Sequence, residues 1–162
     1  MPAAAVEAVF KSINTAYRYQ PEAPGRDDWR TPAEFAAAGG GDCEDFAIAY
    51  WHALRNHNGH ARVAFCWRSD RQAHTVCLYY QPDDADPLVL DVVVDAVCRL
   101  SERPDLVVLY ELDADGIYGR PRAPAKPWRP YWIGPATQVA PWAGVLERMR
   151  LQERSQDQTR QR

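Results

Sequence analysis

The sequence predicts an α+β fold, with N-terminal helices packed on an antiparallel sheet of about four strands. One observation is the periodicity of the first sixty residues, where Val6, Phe10, Ile13 and Tyr17 recur at helical spacing. A second is the change to period two after Ala61, through ARVAFCWR, AHTVCLYY and PLVLDVVV. The third is what lies between those runs. SDRQ and QPDDADP are turn-rich and too short for a crossover helix, so neighbouring strands must run antiparallel.

The first helix is expected over residues 3–18. A polar loop with Pro21, Pro24 and Gly25 follows, and TPAEFAAAG opens a short helix with a threonine cap and a first-turn proline. Gly39 closes it. A third helix begins at Asp42 or Cys43 and ends near Gly59, with Phe46, Ala47, Tyr50 and Leu54 on the face that carries Cys43. The strands then follow, the fourth being LVVLYEL before the turn DADG. This core, residues 1–120, is expected as one domain. Residues 121–142 are rich in proline and carry Trp128, Tyr131, Trp132 and Trp142, too many aromatics for a solvated linker, and read as an extended strap over the core or, alternatively, a partner-binding strip. Residues 143–162 read as a short helix through Val145, Leu146 and Met149 with a frayed tail.

At 162 residues, 46% hydrophobic and 25% charged, the chain has the composition of a globular domain large enough to bury a core. A net charge of −3 gives no reason to expect nucleic acid or an anionic membrane surface as partner. No apolar run has the length of a membrane span. MPAAAVEAVFKSIN lacks a basic start before an apolar core, so it does not read as a secretory signal; either the protein is cytoplasmic or its leader lies outside this stretch. Cys43, Cys66, Cys77 and Cys98 form no CxxC pair and no zinc-finger spacing. Cys66 and Cys77, in apolar strand-like runs, are expected as buried reduced thiols.

Cys43 is different. In GGGDCEDFA it sits where a glycine run becomes a helix, and the positive end of a helix dipole lowers a thiol's pKa. Asp42, Glu44 and Asp45 push the same pKa up. A thiol nucleophile needs a base and the base an orienting acceptor. His74 in AHTVCLYY and Asp91 in LVLDVVV supply both on what read as adjacent strands, where two side chains can share a face. A helix packed on that face would bring Cys43 to His74. Each residue alone has a plainer reading: an inert cysteine, a half-buried structural histidine. Asp91 is the hardest to explain away, because a carboxylate in an apolar run is costly unless paired.

The remaining candidates carry less. His57 and His60 have the spacing of a metal pair, but no further ligand is evident nearby, and a solvated helix end explains them. DADG lacks the acidic series and closing glutamate of a calcium loop and reads as a hairpin turn. Asp42 with Asp45 three residues on has the pattern of a capping box.

WRTPAEFAAAGGGDCEDFAIAYWHAL resembles the nucleophile segment of the bacterial transglutaminase-like cysteine peptidases, the LapG-like periplasmic proteases. The histidine of AHTVCLYY and the aspartate of PLVLD follow in that family's order. SERPDLVVLYELDADGIYG resembles its distal strands, so the resemblance spans residues 5–120. It implies a transglutaminase-like, papain-related core with Cys43 as nucleophile, His74 as base and Asp91 as orienter. It also implies calcium dependence with ligands at Asp42 and Glu44, and a periplasmic address. Further implications are a large surface adhesin as substrate, a role in biofilm control, and sequestration by an inner-membrane receptor for cyclic di-GMP. The sequence departs from the family pattern at Val92, where an asparagine commonly follows the aspartate, which bears on the hydrogen bonding around the orienter. The Cys43 N–H is the first expected oxyanion donor; Trp29, in the loop before TPAEF, is a second candidate, with a packed-core role as the alternative. An amidase or acyltransferase on the same three residues, or a non-catalytic module of this fold, are the competing functions.

Overall fold

A computed structural model of the chain describes residues 1–23, 27–120 and 130–160. Helix α1 (Ala3–Ala16) buries Val6 and Phe10. It stops before Arg18 rather than at it, because strand β1 (Arg18–Tyr19) leaves to pair in parallel with β2 (Gly40–Gly41). Between them, α2 (Pro32–Ala38) opens on a full capping box: Thr31 Oγ1 accepts from the Glu34 N–H, and Glu34 Oε2 accepts from the Thr31 N–H at 2.8 Å. It closes at Gly39, whose φ of 74° is the left-handed cap glycine tolerates best. At Gly40 a Cβ would lie 1.9 Å from the Arg18 carbonyl oxygen, so only glycine allows β1 this close.

Helix α3 (Cys43–Leu54) is buried along most of its length, with Phe46, Ile48, Tyr50, Trp51 and Leu54 in the core. It ends five residues short of Gly59, and the chain reaches β3 through an exposed turn. The main sheet, in the order β6-β5-β4-β3-β7-β8-β9, is antiparallel at every pairing. Its strands are β3 (His60–Arg68), β4 (Ala73–Tyr80), β5 (Leu88–Leu90), β6 (Cys98–Arg99), β7 (Leu106–Leu112), β8 (Gly116–Gly119) and β9 (Tyr131–Pro135). Helix α4 (Ala140–Arg160) follows.

The sheet therefore has seven strands among the described residues, not four. The additional strands are two to five residues long, too short to show an alternating pattern, and GIYG and YWIGP carry turn-like glycine and proline. Of the expected strap, residues 121–129, with Trp128, lie outside the described residues; Tyr131–Pro135 pairs with β8 instead of crossing the core, and Trp142 lies in the first turns of α4. The C-terminal helix is also longer than expected. Trp142, Val145 and Met149 anchor it on the core, and its polar remainder continues the helix to Arg160. DADG is the β7–β8 turn, with Asp113 Oδ1 accepting from the N–H groups of Asp115 and Gly116.

One core cluster lies between the sheet and the helices, joining Val6, Phe10, Phe46, Tyr50 and Trp51 to Ala61, Val63, Cys77, Tyr79 and Leu112. A second lies on the opposite sheet face, formed by Ala64, Cys66, Val76, Leu78, Tyr80, Val89 and Leu106. Cys66 and Cys77 are buried and unbridged, one on each face.

Candidate active site

Cys43 is the first residue of α3, after the N-cap Asp42, whose Oδ1 accepts from the Asp45 N–H at 3.3 Å. The capping box expected here is half formed. The Asp45 carboxylate turns away to take the Arg30 N–H at 2.7 Å and the Arg30 guanidinium at 2.8 Å, tying the loop before α2 to the helix start. Arg30 was not legible as part of this site, since nothing local in DDWR marks its partner.

His74 and Asp91 meet as their order suggests: His74 Nε2 and Asp91 Oδ1 are 2.8 Å apart, 5% and 0% exposed. The supporting geometry differs from a continuous strand pair. β5 ends at Leu90 rather than Val94, because Asp91 folds the chain into a turn: its Oδ1 accepts from the Val93 N–H and its carbonyl from the Val94 N–H. Arg103, from the segment before β7, donates Nη2 to Asp91 Oδ2 at 3.0 Å and to Asp105 Oδ2 at 2.8 Å. Burial works against the Asp91 charge, but His74, the Val93 N–H and Arg103 together hold its carboxyl below the usual aspartate value. Arg103 left no sequence signal, its partner being distant in the chain and reached only through the fold.

The approach of Cys43 to His74 also differs from the expectation. By alternation, Thr75, Cys77 and Tyr79 of β4 face α3, while His74 shares its side with Val76, Leu78 and Tyr80. Helix α3 therefore does not pack on the His74 face. Its first turn abuts β4 at Thr75, the residue after His74: the Thr75 hydroxyl donates to Glu44 Oε1 at 3.1 Å, and the Thr75 backbone favours the charged form of the Cys43 sulfur. Because β5 pairs β4 only over Cys77–Tyr79, the β4 backbone at Thr75 is left for this contact.

The thiol itself donates to Glu44 Oε2 at 3.0 Å. Burial, then the Glu44 charge and this hydrogen bond, push the Cys43 thiol far above its ordinary range, with the Thr75 backbone working the other way. Burial and the carboxylates of Glu44, Asp45 and Glu22 push Asp42 up to about 7. Tyr19 stands over the same group. β1–β2 pairing sets it opposite Gly41, and burial and the charges of Cys43, Asp42, Glu44 and Asp91 raise its phenol. Tyr19, Val92 and Asp95 line a cavity of ≈350 Å³. Trp29 is buried; its indole N–H donates to Asp27 Oδ1 at 2.6 Å, and its ring stacks on Phe65 at 5.1 Å.

Asp42 and Glu44 bring hard oxygen donors to the helix start, the donor type that suits calcium, and their mutual repulsion would be relieved by a cation. Among the described residues no three His, Cys, Asp or Glu side chains are grouped as a metal site. A calcium shell of about six to eight oxygens would need backbone carbonyls and water beside these two.

Helices packed on a mostly antiparallel sheet, with a cysteine at a helix start and a buried histidine–aspartate pair on the sheet, give an α+β core of the transglutaminase-like kind. The chain belongs to the transglutaminase-like superfamily, whose sequence model matches residues 1–96. Among solved structures it is similar to LapG of Legionella pneumophila. The EGTA-treated form gives a TM-score of 0.75 at 28% identity, covering 91% of this chain and 80% of that one. The calcium-bound form gives 0.69 at 29% identity, covering 91% and 81%. No curated protein matches the chain.

Proposed function

We propose that the chain is a calcium-dependent cysteine endopeptidase with Cys43 as nucleophile, His74 as general acid–base and Asp91 as orienter. The observation that carries the reading is the buried His74–Asp91–Arg103 array at the point where β4 receives the start of α3. With Nε2 committed to Asp91, Nδ1 is the ring nitrogen left to serve the sulfur. The thiolate attacks an amide carbonyl, forming the C–S bond. His74 gives its proton to the departing amine nitrogen as the C–N bond breaks. His74 then takes a proton from water, which attacks the thioester and returns the sulfur to Cys43. The Cys43 N–H, at the positive end of α3, would bind the oxyanion. Asp42 and Glu44 would hold the calcium, and its charge would offset the carboxylates that now oppose thiolate formation.

The family resemblance supports a large surface adhesin as substrate, a part in biofilm control, a periplasmic location and an inner-membrane cyclic di-GMP receptor as partner. The test uses peptides from a tryptic digest of a bacterial proteome, with cuts read by mass spectrometry. Cleavage is expected from the wild type in calcium, and none from Cys43→Ala, His74→Ala or the wild type in EGTA. Cleavage by folded Cys43→Ala rejects the nucleophile; undiminished cleavage in EGTA rejects the ion. Adding monodansylcadaverine separates the enzymes, because an acyltransferase would attach the amine where a peptidase releases an acid.

A further inference from the structure

We infer that Trp67 and Val107 form an apolar shelf beside Cys43 that seats a bulky apolar side chain of the polypeptide substrate. The inference rests on the peptidase reading above. The register of three strands sets Ala73 of β4 opposite Trp67 of β3, and Trp67 opposite Val107 of β7. The three form one row across the end of the sheet where β4 begins. Alternation along β3 places Trp67 on the side of Ala61 and Val63, which pack in the core beneath α3. Thr75, two residues from Ala73 on the same strand face, donates its hydroxyl to Glu44, the carboxylate that also accepts from the Cys43 thiol. Strand geometry then puts Trp67 about 7 Å along the sheet and about 5 Å across it from Thr75. Shelf and nucleophile occupy one face at one end of one sheet.

The row is open where the rest of that face is covered. Trp67 is 45% exposed and Val107 58%. Leu109, also exposed, is the extra residue of a bulge, since Cys66 pairs with Val108 and Phe65 with Tyr110. Behind the row, Trp29, Phe65 and Tyr110 stack at 5.1 and 4.9 Å with near-parallel rings, a rigid backing that fixes where the shelf lies. A tryptophan and a valine exposed side by side on paired strands mark a contact surface rather than scattered exposure. Continuity with Cys43 through Thr75 and Ala73 names its occupant. An extended chain advances about 3.4 Å per residue, so a substrate cut at Cys43 would carry a side chain two or three residues away over Trp67.

The same tryptic peptide library tests this, with iodoacetamide alkylation of Cys43 as a reading of the nucleophile alone. The wild type is expected to favour Leu, Ile, Val or Phe at one position within three residues of the cut. Trp67→Ala and Val107→Ser should each weaken that preference, Trp67→Ala by about tenfold, because the contact is apolar area. Alkylation should stay within twofold in both. A wild-type profile with no apolar preference, or one that survives both substitutions, overturns the shelf and leaves the peptidase standing. Alkylation without cleavage of any peptide overturns the peptidase reading and the shelf with it. A dimer in sedimentation that Trp67→Ala dissolves assigns the shelf to a second copy, against the proposal.

Discussion

Asp91 is fully buried, and an unpaired carboxylate there would cost several kcal/mol, so its charge depends on His74, the Val93 N–H and Arg103. Arg103 bridges Asp91 and Asp105, and on the proposed peptidase reading it would act as a positioning residue for the array. Arg103→Met is expected to destabilise by about 3 kcal/mol, because it strands a buried charge. In the remaining folded protein it should lower kcat with KM unchanged. Arg103→Lys should recover more stability than rate, since an ammonium lacks the planar fork that bridges two carboxylates. Denaturant titration and peptide kinetics on both variants give the readouts; an unchanged kcat in folded Arg103→Met would show that Arg103 does not position the array. Much of this site was legible. Cys43 stood out by its glycine and acidic flanks, and Asp91 by the cost of a carboxylate in LVLDVVV. Arg103 and Arg30 were not, because an ion pair between distant segments leaves no local pattern.

Helix α2 shows the same divide between local and distant physics. The Thr31 cap and Pro32 could be read from TPAE, being features of one turn. What they join could not: Arg148 of α4 donates Nε to Glu34 Oε1 at 3.0 Å and Nη2 to the Trp29 carbonyl at 2.6 Å. Partial burial works against the Glu34 charge, yet the Thr31 N–H and Arg148 hold its carboxyl below the ordinary 4.5. A carboxyl depressed on folding contributes stability that is fully present above its unfolded value and is lost as pH falls through its folded one. The stability difference between wild type and Glu34→Gln is therefore expected to be about 1 kcal/mol or less near neutrality, given the exposure of both partners, and to be lost as pH falls through the lowered folded value of Glu34. Unfolding curves at a series of pH values measure it; a difference that persists at the acid end would assign the effect to packing. Strand lengths failed to be legible for a related reason. Two- and three-residue strands such as β6 and β5 exist because neighbours pair with them, and no periodicity fits in so few residues.

At the scale of the molecule, α4 packs against α2 and against α3, the helix that begins at Cys43. Trp142 is fully buried, meets Trp51 of α3 edge to face at 4.9 Å, and donates its indole N–H to the Asp113 carbonyl in the β7–β8 turn at 2.8 Å. One side chain thus ties the C-terminal helix to α3 and to the far half of the sheet. Val145 and Met149 continue the same buried stripe, and beyond them the described contacts of α4 include a long Gln152–Glu34 hydrogen bond at 3.5 Å and the Arg55–Glu153 ion pair, whose Glu153 is largely exposed. These contacts divide the helix into a half that stabilises and a half that follows. Trp142→Ala is expected to cost about 3–5 kcal/mol, by loss of apolar contact and a cavity against Trp51. Ending the chain after Gln152 should cost about 1 kcal/mol or less, because an exposed ion pair contributes little. Thermal and denaturant unfolding of the two variants decide the matter. If the truncation proves as damaging as Trp142→Ala, the polar half of α4 supports the fold through contacts other than these. If Trp142→Ala is nearly neutral, the tie between α4 and α3 is not what holds α3 in place.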